Sequence, residues 1–139
     1  MRRAVLVFLL TGLLAGCGSL GSIVGSGDNA TSLNAFRAAN GRSSLRSDAT
    51  LTGLARTHAE DMARRESLDH NGFMERRGPA GARAENVAYG CAESACTIKQ
   101  WINSSGHRSN MLRGDISSYG LASAVSKSGR RYWSLELGQ

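Results

Sequence analysis

The chain has 139 residues, 41% of them hydrophobic, 20% charged and 6% aromatic, and carries a formal net charge of +6. This is the size of one domain, with the ordinary balance of a globular protein and a small, mainly aliphatic core. No Lys/Arg run accompanies the positive charge, which argues against nucleic acid as a partner.

The first residues read as a targeting segment. Arg2 and Arg3 precede an apolar run, Ala4 to Leu14, too short to span a membrane and placed like the core of a signal peptide. It ends in Leu14-Ala15-Gly16-Cys17, which resembles a bacterial lipobox. The expectation is a lipoprotein signal over residues 1–16, cleaved before Cys17, with Cys17 lipidated and holding the chain at a membrane. Cleavage would remove Arg2 and Arg3 and no acid, lowering the net charge by two to +4. No aspartate follows Cys17, which in a diderm leans towards the outer membrane. Residues 17–28, rich in glycine and serine, suit a flexible tether, so the folded domain is expected over residues 29–139.

Helical spacing of Leu33, Phe36, Arg37 and Asn40, with Gly41 as a stop, predicts a first helix over residues 30–40. Asp48 is a good N-cap for a second. Leu51, Leu54, Ala55, His58, Ala59, Met62 and Ala63 form one apolar stripe on it, opposite Arg56, Glu60, Asp61, Arg64 and Arg65. His58 lies inside the stripe and reads as a packing residue. Turn signals then run from Asp69-His70-Asn71-Gly72 to Gly78-Pro79-Ala80-Gly81. A short strand is expected over residues 84–90 and a third helix from Glu93, carrying Ile98, Trp101 and Ile102. With Cys17 lipidated, Cys91 and Cys96 are an even pair in an oxidising compartment and predict a local disulfide. A zinc site there would lack further cysteines. Tyr119–Val125 and Arg131–Leu137 predict a β-hairpin with a five-residue loop. Three helices can cover both faces of an antiparallel sheet, so the expected fold is α+β, a three-layer α–β–α sandwich.

His70, Glu85 and His107 stand out as chemistry-bearing groups in turn-like settings. Gly106 would let the backbone turn and present His107 at a corner. Two histidines and a carboxylate can bind a divalent cation, or the carboxylate can fix an imidazole tautomer or act as a general base. Their spacing matches no compact metal motif, and scattered polar residues are the competing reading.

Leu68-Asp69-His70, Ala84-Glu85-Asn86-Val87-Ala88, the segment Trp101 to Leu112 (W-I-N-S-S-G-H-R-S-N-M-L) and a final Tyr132-Trp133 strand occur in one order. In these motifs the chain resembles the CAP superfamily, the SCP-like or cysteine-rich secretory proteins, in its compact bacterial form. The resemblance spans about residues 30–139 and implies an α–β–α sandwich with a small central antiparallel sheet. It also implies a surface cavity lined by two histidines and acidic residues, able to bind zinc or another divalent cation in some members. By position the histidines are His70 and His107, the metal ligands, and the first acid is Glu85. The family's second acid belongs near the helix before His107. That helix, Thr97 to Asn103, has none, and Glu93 is the nearest candidate. Ser105 and Ala84 stand where proline and glycine are common in bacterial members.

The expected function is an envelope-anchored binding module for a lipid, cell-wall polymer or protein. The alternative is a metal-dependent hydrolase or protease with His70, Glu85 and His107 as catalytic groups. Ser104 and Ser105 precede His107 but do not by that make a nucleophile.

Overall fold

The computed structural model describes residues 27–139. The leader, Cys17 and nearly all of the expected tether lie outside the described residues. Four helices and four strands follow in the order α1 (Gly27–Ala39), β1 (Arg46–Ser47), α2 (Ala49–Arg65), β2 (Ala82–Tyr89), α3 (Ser94–Ile102), α4 (Ser105–Met111), β3 (Ser118–Val125) and β4 (Arg131–Gly138). One π-helical turn, Phe73–Arg77, interrupts the loop between α2 and β2.

The sheet order is β1-β3-β4-β2. The expected hairpin is present as β3 and β4, antiparallel from Ser118↔Gly138 to Val125↔Arg131. β2 pairs antiparallel with the far side of β4, placing Glu85 opposite Glu136. The sheet is not wholly antiparallel: β1, two residues long and unanticipated, pairs parallel with β3. No hydrophobic alternation can announce a strand that short.

Helix α2 covers one face, packing on β3 and β4. Asp48 caps it, its Oδ1 accepting from Leu51 N–H at 2.8 Å. The contact is close enough that a Cβ at Gly120 of β3 would lie 2.1 Å from the Leu51 carbonyl carbon and the Thr52 nitrogen. Helices α1, α3 and α4 cover the other face, around Leu33, Ile98, Trp101, Met111, Trp133 and Leu135. The result is the α–β–α sandwich.

Strand alternation divides the core. Trp133, Leu135 and Leu137 of β4 point towards α3 and α4, whereas Tyr132 meets Met62 and Ala63 of α2. Trp101 bridges helix and sheet, donating from Nε1 to the Val87 carbonyl at 3.1 Å. Buried Arg37 ties α1 to the end of α4, donating from Nη1 to the Met111 and Arg113 carbonyls at 2.7 and 3.1 Å. Cys91 and Cys96 form the expected disulfide, Cα atoms 5.7 Å apart, closing the loop into α3.

Candidate functional site

The site grows from the edge strand β2. Glu85 shares the α2-facing side of the sheet with Val87, and its partner on β4 is Glu136. Both carboxyl groups are buried. Two adjacent buried carboxylates are unstable unless a cation or a proton compensates them.

The compensation comes from the π turn. Gly72, at φ +76°, opens it in a conformation that favours glycine. The turn drives Arg77 inward, so that its Nε donates to Glu85 Oε2 at 2.5 Å and lies 3.1 Å from Glu136 Oε1. The same guanidinium donates from Nη1 to the Asn71 carbonyl at 2.9 Å and from Nη2 to the His70 carbonyl at 3.3 Å. One buried arginine thus joins two strands to the loop that carries His70.

His70 completes the cluster, with Nδ1 2.6 Å from Glu85 Oε1. Its side chain is largely exposed while that of Glu85 is buried. The Glu85 hydrogen bond raises the His70 pKa above its ordinary value, outweighing burial. Burial opposes the charge on Glu85, but the hydrogen bond from His70, the adjacent Glu136 carboxyl and the hydrogen bond from Arg77 outweigh it and hold the carboxyl at about 2. Glu136 goes the other way. Burial and the neighbouring Glu85 push it up to about 9. Ser134 Oγ donates to its Oε1 at 3.2 Å, while Oε2 has no partner among the described residues. That is costly for a carboxylate, and with ionised Glu85 as its neighbour Glu136 is held as the neutral acid.

His58 approaches from α2, its Nε2 2.9 Å from the Asp69 carbonyl and 3.7 Å from Glu85 Oε2. It is a buried, bonded packing residue whose pKa is lowered, chiefly by burial.

His107 belongs to the opposite layer. It is neither at a corner nor in a loop, because Ser105–Met111 form a short helix. Glu85 likewise lies inside β2 rather than in a turn. Successive residues of β2 face opposite ways, so Asn86 points towards α4 while Glu85 points towards α2. Asn86 Nδ2 donates to the His107 carbonyl at 3.0 Å, and Asn110 Nδ2 donates to the Glu85 carbonyl at 3.1 Å and to Asn86 Oδ1 at 3.0 Å. The His107 ring lies 6.4 Å from the Trp101 ring. Its pKa is lowered by burial and then by the charge of His70, which reaches it around the sheet edge.

The site therefore brings His70 and Glu85 into contact and leaves His107 as a neighbour joined through two asparagines. Glu93 is exposed, at the N-cap position of α3 in the disulfide loop, and takes no part. The carboxyl that meets Glu85 is Glu136. Among the described residues no three His, Cys, Asp or Glu side chains are placed to share an ion, and both oxygens of Glu85 already bind His70 and Arg77. An open cavity of about 360 Å³ lies over the cluster, lined by His70, Phe73, Met74, Arg83, Glu85 and Arg113 among others.

Comparison with known proteins gives a consistent picture. Residues 31–137 match the cysteine-rich secretory protein family, CAP. The uncharacterized protein YkwD of Bacillus subtilis is 32% identical over 97 residues, covering 63% of this chain and 38% of that protein. The chain thus matches well under half of that relative's length. Among solved structures, an outer surface protein of Borrelia burgdorferi superposes with a TM-score of 0.66 at 15% identity, over 78% of this chain and 87% of its own. An extracellular SCP-domain protein of Bacillus anthracis gives 0.63 at 23% identity, over 77% and 38%.

Proposed function

Because the chain belongs to the cysteine-rich secretory protein family, we propose that it is an exported binding module, held at the bacterial cell envelope, whose His70–Glu85 cavity is its recognition site. The observation that carries this reading is the engagement of Glu85. Arg77 occupies one oxygen and His70 the other. A carboxylate so committed is an anchor that orients His70 and has no free oxygen to activate water. The ligand would be an envelope lipid, a cell-wall polymer or a protein. Lipidation of Cys17 would supply the anchor, on the outer membrane in a diderm, and mass spectrometry of the mature N-terminus tests it.

The competing reading is a divalent-metal hydrolase, with His70 and His107 holding zinc and Glu85 orienting water. The engagement of both Glu85 oxygens weighs against its role in orienting water. The two readings separate on one experiment. Immobilised mature chain, wild type and His70→Ala, is incubated with solubilised envelope. The binding module retains a component that His70→Ala loses and releases it chemically unchanged. Cleavage of that component, stimulated by Zn²⁺ and abolished in His107→Ala, would sink the proposal in favour of the hydrolase.

A further inference from the structure

We propose that the cavity at the outer edge of β2 binds an oxyanion, a phosphate or carboxylate group carried on a short apolar body, and that Arg83 and Arg113 are the residues that bind it. The inference deepens the binding-module reading and rests on it.

The first observation is a β-bulge. Ala82 pairs with Gly138 and Ala84 with the adjacent Leu137, so Arg83 is an extra residue with no partner on β4. Bulges re-aim side chains and cluster beside functional sites. Without the bulge, a residue in edge strand β2 would simply alternate between the two packed faces. With it, Arg83 lines the cavity beside His70. The second observation is continuity. A second cavity of about 360 Å³, floored by Gly78, Gly81 and Ala82, also has Arg83 and Arg113 in its wall. The two arginines thus stand where the two cavities meet.

Their partners leave charge available. Arg83 Nη2 donates to the neutral amide oxygen of Gln139 at 2.7 Å. Arg113 is clamped by Asp115, Nε to Oδ1 at 2.9 Å and Nη2 to Oδ2 at 2.6 Å, which fixes its plane and leaves Nη1 out of that pair. Two guanidinium groups thus face one carboxylate. The acid lining this cavity is Glu85, already bonded to Arg77 and His70. Glu75, the acid of the π turn, does not line it. A guanidinium held by one edge offers a fixed donor pair to a planar or tetrahedral oxyanion. Half-buried Phe73 and the exposed side chain of Met74 also line the cavity. That supplies an apolar wall for the body of the ligand and makes a bare inorganic ion the poorer fit.

The test uses the exported chain carrying Cys17→Ser, ¹⁵N-labelled, with its arginine Nε–H signals followed by NMR. The probes are hexyl phosphate, inorganic phosphate, hexyltrimethylammonium and vesicles containing phosphatidylglycerol. Hexyl phosphate is expected to bind saturably and shift the Arg83 and Arg113 signals, more tightly than inorganic phosphate, whereas the cationic analogue does not bind. Arg83→Gln and Arg113→Gln, surface changes that preserve the folded spectrum, should each weaken hexyl phosphate by about tenfold. Phe73→Ala should weaken hexyl phosphate and leave inorganic phosphate unchanged. Equal binding of the cationic analogue, or insensitivity to both arginine variants, would overturn the proposal. So would binding to vesicles without binding to hexyl phosphate, which would assign the arginines to a membrane surface. If hexyl phosphate fails while the His70-dependent envelope component is still retained, the oxyanion inference falls and the binding-module reading stands. Loss of both removes that reading as well.

Discussion

Replacement of Glu136 by glutamine tests the carboxyl pair at the centre of the site. Folding moves the Glu136 pKa from 4.5 to about 9. A group whose pKa rises on folding contributes stability below its unfolded value, and that contribution is lost as pH rises towards the folded value. Between those limits each pH unit removes about 1.4 kcal/mol. From pH 5 to pH 7 the wild type should therefore lose roughly 3 kcal/mol through this one fully buried group. That is a large share of a typical domain stability of about 5–15 kcal/mol. Glutamine keeps the shape, still presents an oxygen to Ser134 and Arg77, and does not titrate. Urea unfolding of both proteins at pH 5, 6, 7 and 8, with the disulfide intact, measures the difference. The histidine contributions are common to both chains, so the informative quantity is the gap between the two curves. Glu136→Gln should gain on wild type as pH rises, by a slope approaching the value above. Parallel curves would refute a protonated Glu136. A gap opening in favour of wild type would show that Glu136 is needed as an anion.

The other predictions concern the partners of that pair. Arg77→Met leaves two buried carboxyl groups without their shared cation and should cost about 3–5 kcal/mol in the same assay at neutral pH; a loss under about 1 kcal/mol would mean the network is not a unit. Glu85, held at about 2 in the fold against 4.5 unfolded, contributes stability above the unfolded value that is lost as pH falls. Glu85→Gln should therefore flatten the acid limb of wild-type stability between those values, and an unchanged acid limb would contradict the bonds drawn to Glu85. Joint Cys91→Ser and Cys96→Ser should cost about 2 kcal/mol, the value for closing a loop this short, read as a shift in the urea midpoint.

Most of the scaffold was legible in the sequence because it obeys simple periods. The Leu51–Ala63 stripe and Asp48 cap define α2, and two alternating runs define the hairpin. The disulfide followed from even cysteines at a spacing a turn can close. The site was only half legible. His70 and Glu85 were identified and they meet, but Arg77 and Glu136, which fix their charge, were missed. The π turn has no period that announces it, so nothing marked Arg77 as buried. Glu136 occupies an alternate position in β4, where a polar residue ordinarily faces solvent. Helix α2, 17 residues long, instead roofs that face. Ser134 and Glu136 are buried beneath the same layer that buries Tyr132. The usable signal was His58, a polar residue inside an apolar stripe, because the stripe had to face something polar. The setting of His107 was misjudged because seven residues with few apolar positions do not signal a helix, yet Ser105–Met111 form one. Glu93 was proposed on chain proximity, which strand pairing overrode by bringing Glu136 to Glu85 from 51 positions away.

Glu85 is read as a committed anchor that orients His70 at the cavity mouth and raises its pKa. A ¹³C and ¹⁵N NMR titration of the histidine rings, in wild type and Glu85→Gln, tests it most directly. In wild type the His70 pKa should lie above 6.5 and the His107 pKa below it, with His70 falling back when Glu85 loses its charge. A His70 that titrates identically in both proteins would contradict it.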